Sequence, residues 1–140
     1  MECRLKKSNT PWHSQVKLRF EFDEQGGRLD SPVEVPFGSE LNDEEALEAM
    51  LRRAQLAILN PAVDSSRFVN LDLSRVRPNV PPFGDKPQLG FSSNVVCVDI
   101  SSPHVADLSF IDLPGKRLPR GGSFAYFSIR YYFKRIRRRR

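Results

Sequence analysis

The chain has 140 residues and a formal net charge of +5, with 39% hydrophobic residues and 10 Phe among them. That length supports one moderate domain with a core, and the composition excludes collagen, coiled-coil and wholly disordered classes. Of the 22 Lys and Arg, 10 lie between Lys116 and Arg140 with no acid among them, which leaves 12 bases against all 17 acids in residues 1–115, a net charge of −5.

No stretch approaches the ~20 apolar residues of a transmembrane helix, and the opening Met1-Glu2-Cys3-Arg4-Leu5-Lys6-Lys7 is not an apolar signal segment. The expected location is therefore cytoplasmic. Cys3 and Cys97 are the two cysteines and stand far apart, so neither a disulfide framework nor paired-cysteine zinc is expected. His13 and His104 add no ligand spacing, and both thiols read as small packed groups.

The first periodic segment is Gln15–Asp23. Val16, Leu18, Phe20 and Phe22 share one face, and Lys17, Arg19, Glu21 and Asp23 the other, the alternation of a half-buried strand. Gln25-Gly26-Gly27 supplies a turn, after which Val33, Val35 and Phe37 alternate as a return strand. Pro32 and Pro36 place that strand at a sheet edge.

A helix is expected from Asn42 onward. Asn42 can cap it, Glu45 can reach back, and Asp43 and Glu44 suit its positive end. Leu47, Met50, Leu51, Ala54 and Ile58 recur at helical spacing. The helix should stop at Asn60, because the residue before Pro61 is pushed out of the helical region. Arg52 and Arg53 read as a solvated face.

From Pro61 to Ser93 prolines and glycines break up the pattern, although Phe68–Leu73 can form a short element. The segment reads as a long surface excursion. Asn94–Ile100 follows as a β-branched run, then the turn Ser101-Ser102-Pro103-His104 and a second short strand, Asp107–Asp112. Two neighbouring strands joined by a short turn predict an antiparallel hairpin, with His104 on its surface.

The second strand ends in Asp112-Leu113-Pro114-Gly115. An aspartate at the carboxyl end of an apolar strand, followed by Pro-Gly, is how nucleotide-hydrolysing α/β proteins offer a carboxylate and a bare amide to phosphate. The carboxylate orients water on Mg²⁺, and the glycine N–H approaches the terminal phosphate. Alone, Asp-x-x-Gly is a weak pattern. With Ser102-Pro103-His104-Val105 before Leu108-Ser109-Phe110-Ile111-Asp112-Leu113-Pro114-Gly115, however, the segment Phe91–Gly115 closely resembles the hairpin of the dynamin-type large GTPases. Met1–Leu5 and Leu51-Arg52-Arg53-Ala54-Gln55-Leu56-Ala57-Ile58-Leu59-Asn60-Pro61 resemble the fungal dynamin-like branch.

This resemblance covers roughly residues 1–115 and implies an α/β fold, an incomplete P-loop NTPase segment with a mixed sheet that lacks the phosphate-loop strand. It implies GTP and Mg²⁺ as cofactors, Asp112 as the water-mediated metal residue and Gly115 as the γ-phosphate contact, with Leu113 and Pro114 completing the binding turn. It also implies hydrolysis coupled to self-assembly on membranes, and hence a peripheral membrane location for the parent. The sheet would show an unpaired edge and apolar faces without covering helices.

Departures from the family bound that function. No Gly-x-x-x-x-Gly-Lys-[Ser/Thr] occurs among the 140 residues, Thr10 is the sole threonine and lies outside the place of the first switch, and Asp85-Lys86-Pro87 does not match the base-recognition motif. Phosphate binding in this fold draws on that loop's amides and lysine, so weak or absent GTP binding is expected.

Residues 116–140 depart too. They read as a basic interaction or nuclear-targeting tail, as an electrostatic contact to RNA or anionic membrane helped by Tyr126, Tyr131, Tyr132 and Phe133, or as sequence foreign to the domain, such as translated intron. The third is preferred, because the resemblance stops abruptly at Gly115. The alternative function is a non-enzymatic binding protein that engages nucleic acid or anionic lipid through this tail.

Overall fold

A computed structural model describes residues 1–77, 80–83 and 88–112. Its elements in chain order are β1 (Glu2–Lys7), β2 (His13–Phe22), β3 (Arg28–Pro36), α1 (Glu44–Leu59), β4 (Val95–Ser102) and β5 (Leu108–Ile111), with two short 3₁₀ turns, Ser65–Phe68 and Leu73–Arg75, between α1 and β4. The five strands form one sheet in the order β3-β2-β4-β1-β5. β1 runs parallel to β4, and every other neighbouring pair is antiparallel. The architecture is thus α/β with a mixed sheet.

Alternation in β2 sets the two faces of this sheet. Ser14, Val16 and Leu18 are buried on one side, against Val96, Val98 and Ile100 of β4 and Cys3 of β1. On α1, Leu47, Met50, Leu51, Ala54, Ala57 and Ile58 form the buried stripe that covers this face. Burying each of the Leu, Met and Ile side chains contributes about 1.5–3 kcal/mol, which makes this layer the main source of stability. The apolar face is therefore covered, contrary to the expectation of bare apolar faces. The opposite face carries Gln15, Lys17, Arg19, Glu2, Arg4, Asp99 and Glu34, and so has no need of a second helical layer.

Local signals explain the ends of the elements. The Asp23 carboxylate accepts from the N–H of Gln25 at 2.9 Å and of Gly27 at 2.7 Å, and Gly26 takes φ +82, which turns β2 into β3. β3 lies at one edge, where Pro32 and Pro36 cost no ladder bonds. Helix α1 is capped by Asp43, whose Oδ1 accepts from the Glu45 N–H at 3.0 Å, one residue later than the Asn42 expected from sequence. Asn60 ends it as expected, its backbone N–H bonding Ala57 O at 3.1 Å. Gly38 takes φ +75 before the helix, a backbone conformation that favours glycine, and a Cβ there would meet the Met50 methyl at 2.9 Å and displace it.

Two expectations are corrected. β4 and β5 do not form a hairpin, because β1 inserts between them and pairs with both. Crossing two strand spacings needs about 10 Å, which residues 103–107 span but a tight two-residue turn cannot. The segment after Pro61 is more than a surface excursion. Phe68 is wholly buried in the core, and Val63, Val69, Leu71 and Phe83 pack around it. Arg53, expected in solvent, donates from Nε to Leu71 O at 2.9 Å and so ties this segment to α1.

Candidate functional site

Asp112 directly follows β5, as expected from sequence. Its N–H donates to Met1 O at 2.7 Å, and its C=O accepts from the Met1 nitrogen at 2.8 Å. This bonded pair continues the β1–β5 ladder, so β1 fixes the backbone from which the Asp112 carboxylate projects. Leu113, Pro114 and Gly115 lie outside the described residues, as does the basic segment 116–140. His104 is exposed, its N–H donating to Ser102 Oγ at 3.2 Å.

Whether these residues suit a Mg²⁺–nucleotide pair can be judged from the donors they offer. A single carboxylate at a strand end matches an outer-sphere contact to Mg²⁺, which keeps most of its waters. Among the described residues no group of three or more His, Cys, Asp or Glu could hold a metal. No loop of backbone amides backed by a lysine is encoded in the sequence to cradle phosphates. What the described residues contribute toward such a pair is the Asp112 carboxylate, with Leu113, Pro114 and Gly115 outside them.

The larger constellation of charge lies on the helix-free face of the sheet and was not foreseen from sequence as a unit. Arg4 on β1 is its centre. Its guanidinium grips Glu34 of β3 through both terminal nitrogens, at 2.5 and 3.2 Å, and donates from Nε to Glu2 at 2.7 Å. Asp99 of β4 lies 3.6 Å from Arg4 and 2.6 Å from the Lys17 ammonium. Arg19 bonds Glu2 and lies 3.3 Å from Glu21. Register explains the cluster: Arg4 pairs with Asp99, Arg19 with Glu34 and Lys17 with Cys97, so the alternating charges of four strands converge.

Chemically this network is close to neutral, with Arg4, Lys17 and Arg19 answered by Glu2, Glu21, Glu34 and Asp99. Three bases against four acids leave a net charge of −1 spread over the cluster, and each cation is already engaged by a carboxylate. Its effect is to fix strand register and to roof over Cys97, which is wholly buried beneath it. Exposed ion pairs contribute about 0.2–1 kcal/mol each, with bidentate geometry at the upper end.

Cys3 and Cys97 sit on adjacent strands but opposite faces of the sheet and are both free thiols. Burial, reinforced by the Asp99 carboxylate, pushes the Cys3 thiol up to about 12, and burial raises Cys97 as well. Neither is a nucleophile at neutral pH.

The network predicts acid sensitivity. Hydrogen bonding to Arg4 holds the Glu2 and Glu34 carboxyls below their ordinary value of 4.5, against the opposing effect of burial. A depressed folded-state value stabilises the fold fully above about pH 4.5 and loses that contribution as pH falls through the folded-state value. Urea midpoints should therefore hold steady from pH 7 to about 5 and fall below pH 4.5, with Arg4→Met flattening the fall.

No family model, no curated protein and no solved structure matches the chain. No helix among the described residues is long and apolar enough to cross a membrane.

Proposed function

We propose that this chain is the segment of a dynamin-type G domain between the first switch and the Asp-x-x-Gly element, and that it does not hydrolyse GTP as it stands. The observation that carries this reading is the run Ser102-Pro103-His104-Val105 through Asp112-Leu113-Pro114-Gly115, with Asp112 at the carboxyl end of β5 in a mixed α/β sheet. In the parent, Asp112 orients water on Mg²⁺ and Gly115 contacts the terminal phosphate, coupling GTP hydrolysis to self-assembly on membranes. Without a phosphate loop and a base-recognition motif, the carboxylate acts on nothing in this chain.

Titration with a fluorescent GTP analogue in Mg²⁺ tests the second half of the proposal. The expected result is no saturation at micromolar nucleotide and no phosphate release. Micromolar affinity would overturn it, and Asp112→Ala would then have to abolish turnover for the assigned role to survive.

The charge of +10 on residues 116–140 favours a second reading, a binding protein for nucleic acid or anionic lipid. Its mark is binding that falls steeply with salt and disappears when 116–140 is deleted.

A further inference from the structure

The two edges of the sheet differ. β3 is guarded by Arg28, Asp30, Pro32, Glu34 and Pro36, charges and prolines that discourage pairing with another strand. β5 is Leu108-Ser109-Phe110-Ile111, with neither charge nor proline. Leu108 is 47% exposed and Ile111 65%. The bonded Met1/Asp112 pair fixes the parity of the ladder: Phe110 and Leu108 face β1, whereas the N–H and C=O of Ser109 and Ile111 point away from it. Among the described residues no strand takes up that outer row.

We propose that β5 pairs antiparallel with β5 of a second copy, joining two sheets across a two-fold axis at Phe110. The strand is self-complementary in that register. Ser109 meets Ile111 of the other copy and exchanges both hydrogen bonds with it, and the reciprocal pair does the same. Phe110 faces its symmetry mate, an aromatic cross-strand pair on the helix-covered side. No like charges stand opposite each other, because Asp112 of one copy falls beside Leu108 of the other. Charge complementarity acts in the same direction, since residues 116–140 carry +10 and residues 1–115 carry −5, so two copies hold opposite charges to exchange. A four-residue edge buries less than the ~1,200 Å² of a standard interface, so the dimer is a weak, concentration-dependent one. The inference rests on edge geometry and is independent of the GTPase reading.

Sedimentation velocity of the full chain over about a hundredfold range of concentration, with amide exchange followed by NMR, tests it. Dimer should grow with concentration, and protection of the Ser109 and Ile111 amides should rise with it. Ser109→Pro removes an N–H that the β1 ladder does not use, so it should give monomer at every concentration with an unchanged melting temperature. Should that variant fail to fold, Ile111→Lys decides, since a lysine on an exposed edge position blocks pairing and should weaken the dimer at least about tenfold. A monomer throughout would overturn the proposal. So would a dimer that persists in the folded variants, or protection of Ser109 and Ile111 that does not depend on concentration and therefore comes from within the same chain.

Discussion

Phe68→Ala is expected to lower the stability of the fold by about 3–5 kcal/mol, the largest single effect anticipated for a side chain outside regular secondary structure of any length. Phe68 is wholly buried at the end of the first 3₁₀ turn, among the side chains of α1 and the sheet. Its ring meets Phe83 edge to face with centroids 5.0 Å apart, and the Arg67 guanidinium carbon lies 4.4 Å from the Phe83 ring centre. Truncation therefore empties a ring-sized volume and frees the segment that α1 holds through Arg53. At this chain length the loss corresponds to a fall in melting temperature of roughly 10–17 °C. Phe91→Ser is the control: Phe91 is 63% exposed, and its replacement should change stability by less than about 0.5 kcal/mol.

The second large effect belongs to Asn94, immediately before β4. Its Oδ1 accepts from the N–H of Glu21 at 2.8 Å and of Phe22 at 2.9 Å, and its Nδ2 donates to Phe22 O at 3.1 Å. These bonds occupy the place where the β2–β3 register shifts between Phe20 and Phe22, so backbone groups there lack ordinary ladder partners. Asn94→Ala should cost about 2–3 kcal/mol, because the donors left without a partner are half-buried. Asn94→Asp keeps the accepting oxygen and loses the donor, and should fall between the two. Urea unfolding reads both, with the midpoint shifting and the slope unchanged.

Much of the fold was legible where one physical signal dominates. The period-two run from Val16 to Phe22 marked β2, the prolines marked β3 as an edge, and the spacing from Leu47 to Ile58 with Pro61 behind it marked α1 and its end. What escaped the sequence was topology and the packing of irregular chain. β1 alternates Cys3 and Leu5 with Glu2, Arg4 and Lys6, a pattern that could have revealed a strand, but nothing local says that it enters between β4 and β5. The burial of Phe68 was hidden for a related reason, since widely spaced aromatics in a proline-rich stretch carry no period.

The charged face shows the same limit. Lys17 and Arg19 read as the polar face of their own strand, Glu34 and Asp99 carry no local signal, and only the sheet order brings all four together around Arg4. Asp112 was placed correctly at a strand end, because an apolar run closed by Asp and a turn is a local pattern. The role proposed for it would depend on groups far away in sequence, and neither a Gly-x-x-x-x-Gly-Lys-[Ser/Thr] loop nor an [Asn/Thr]-Lys-x-Asp motif is among the 140 residues.

A doubly wound nucleotide-binding sheet buries both faces and so reads as continuous apolar strands. Here one face is apolar under α1 and the other is an ion-paired layer of four strands, so the described sheet is two-layered rather than doubly wound.

Sequencing the transcript through both ends of this reading frame tests that account most directly. The account predicts a spliced message in which a Gly-x-x-x-x-Gly-Lys-[Ser/Thr] element is encoded in frame upstream of Met1 and the codon for Gly115 continues into a second switch. A mature message that opens at Met1 and closes at Arg140 would contradict it.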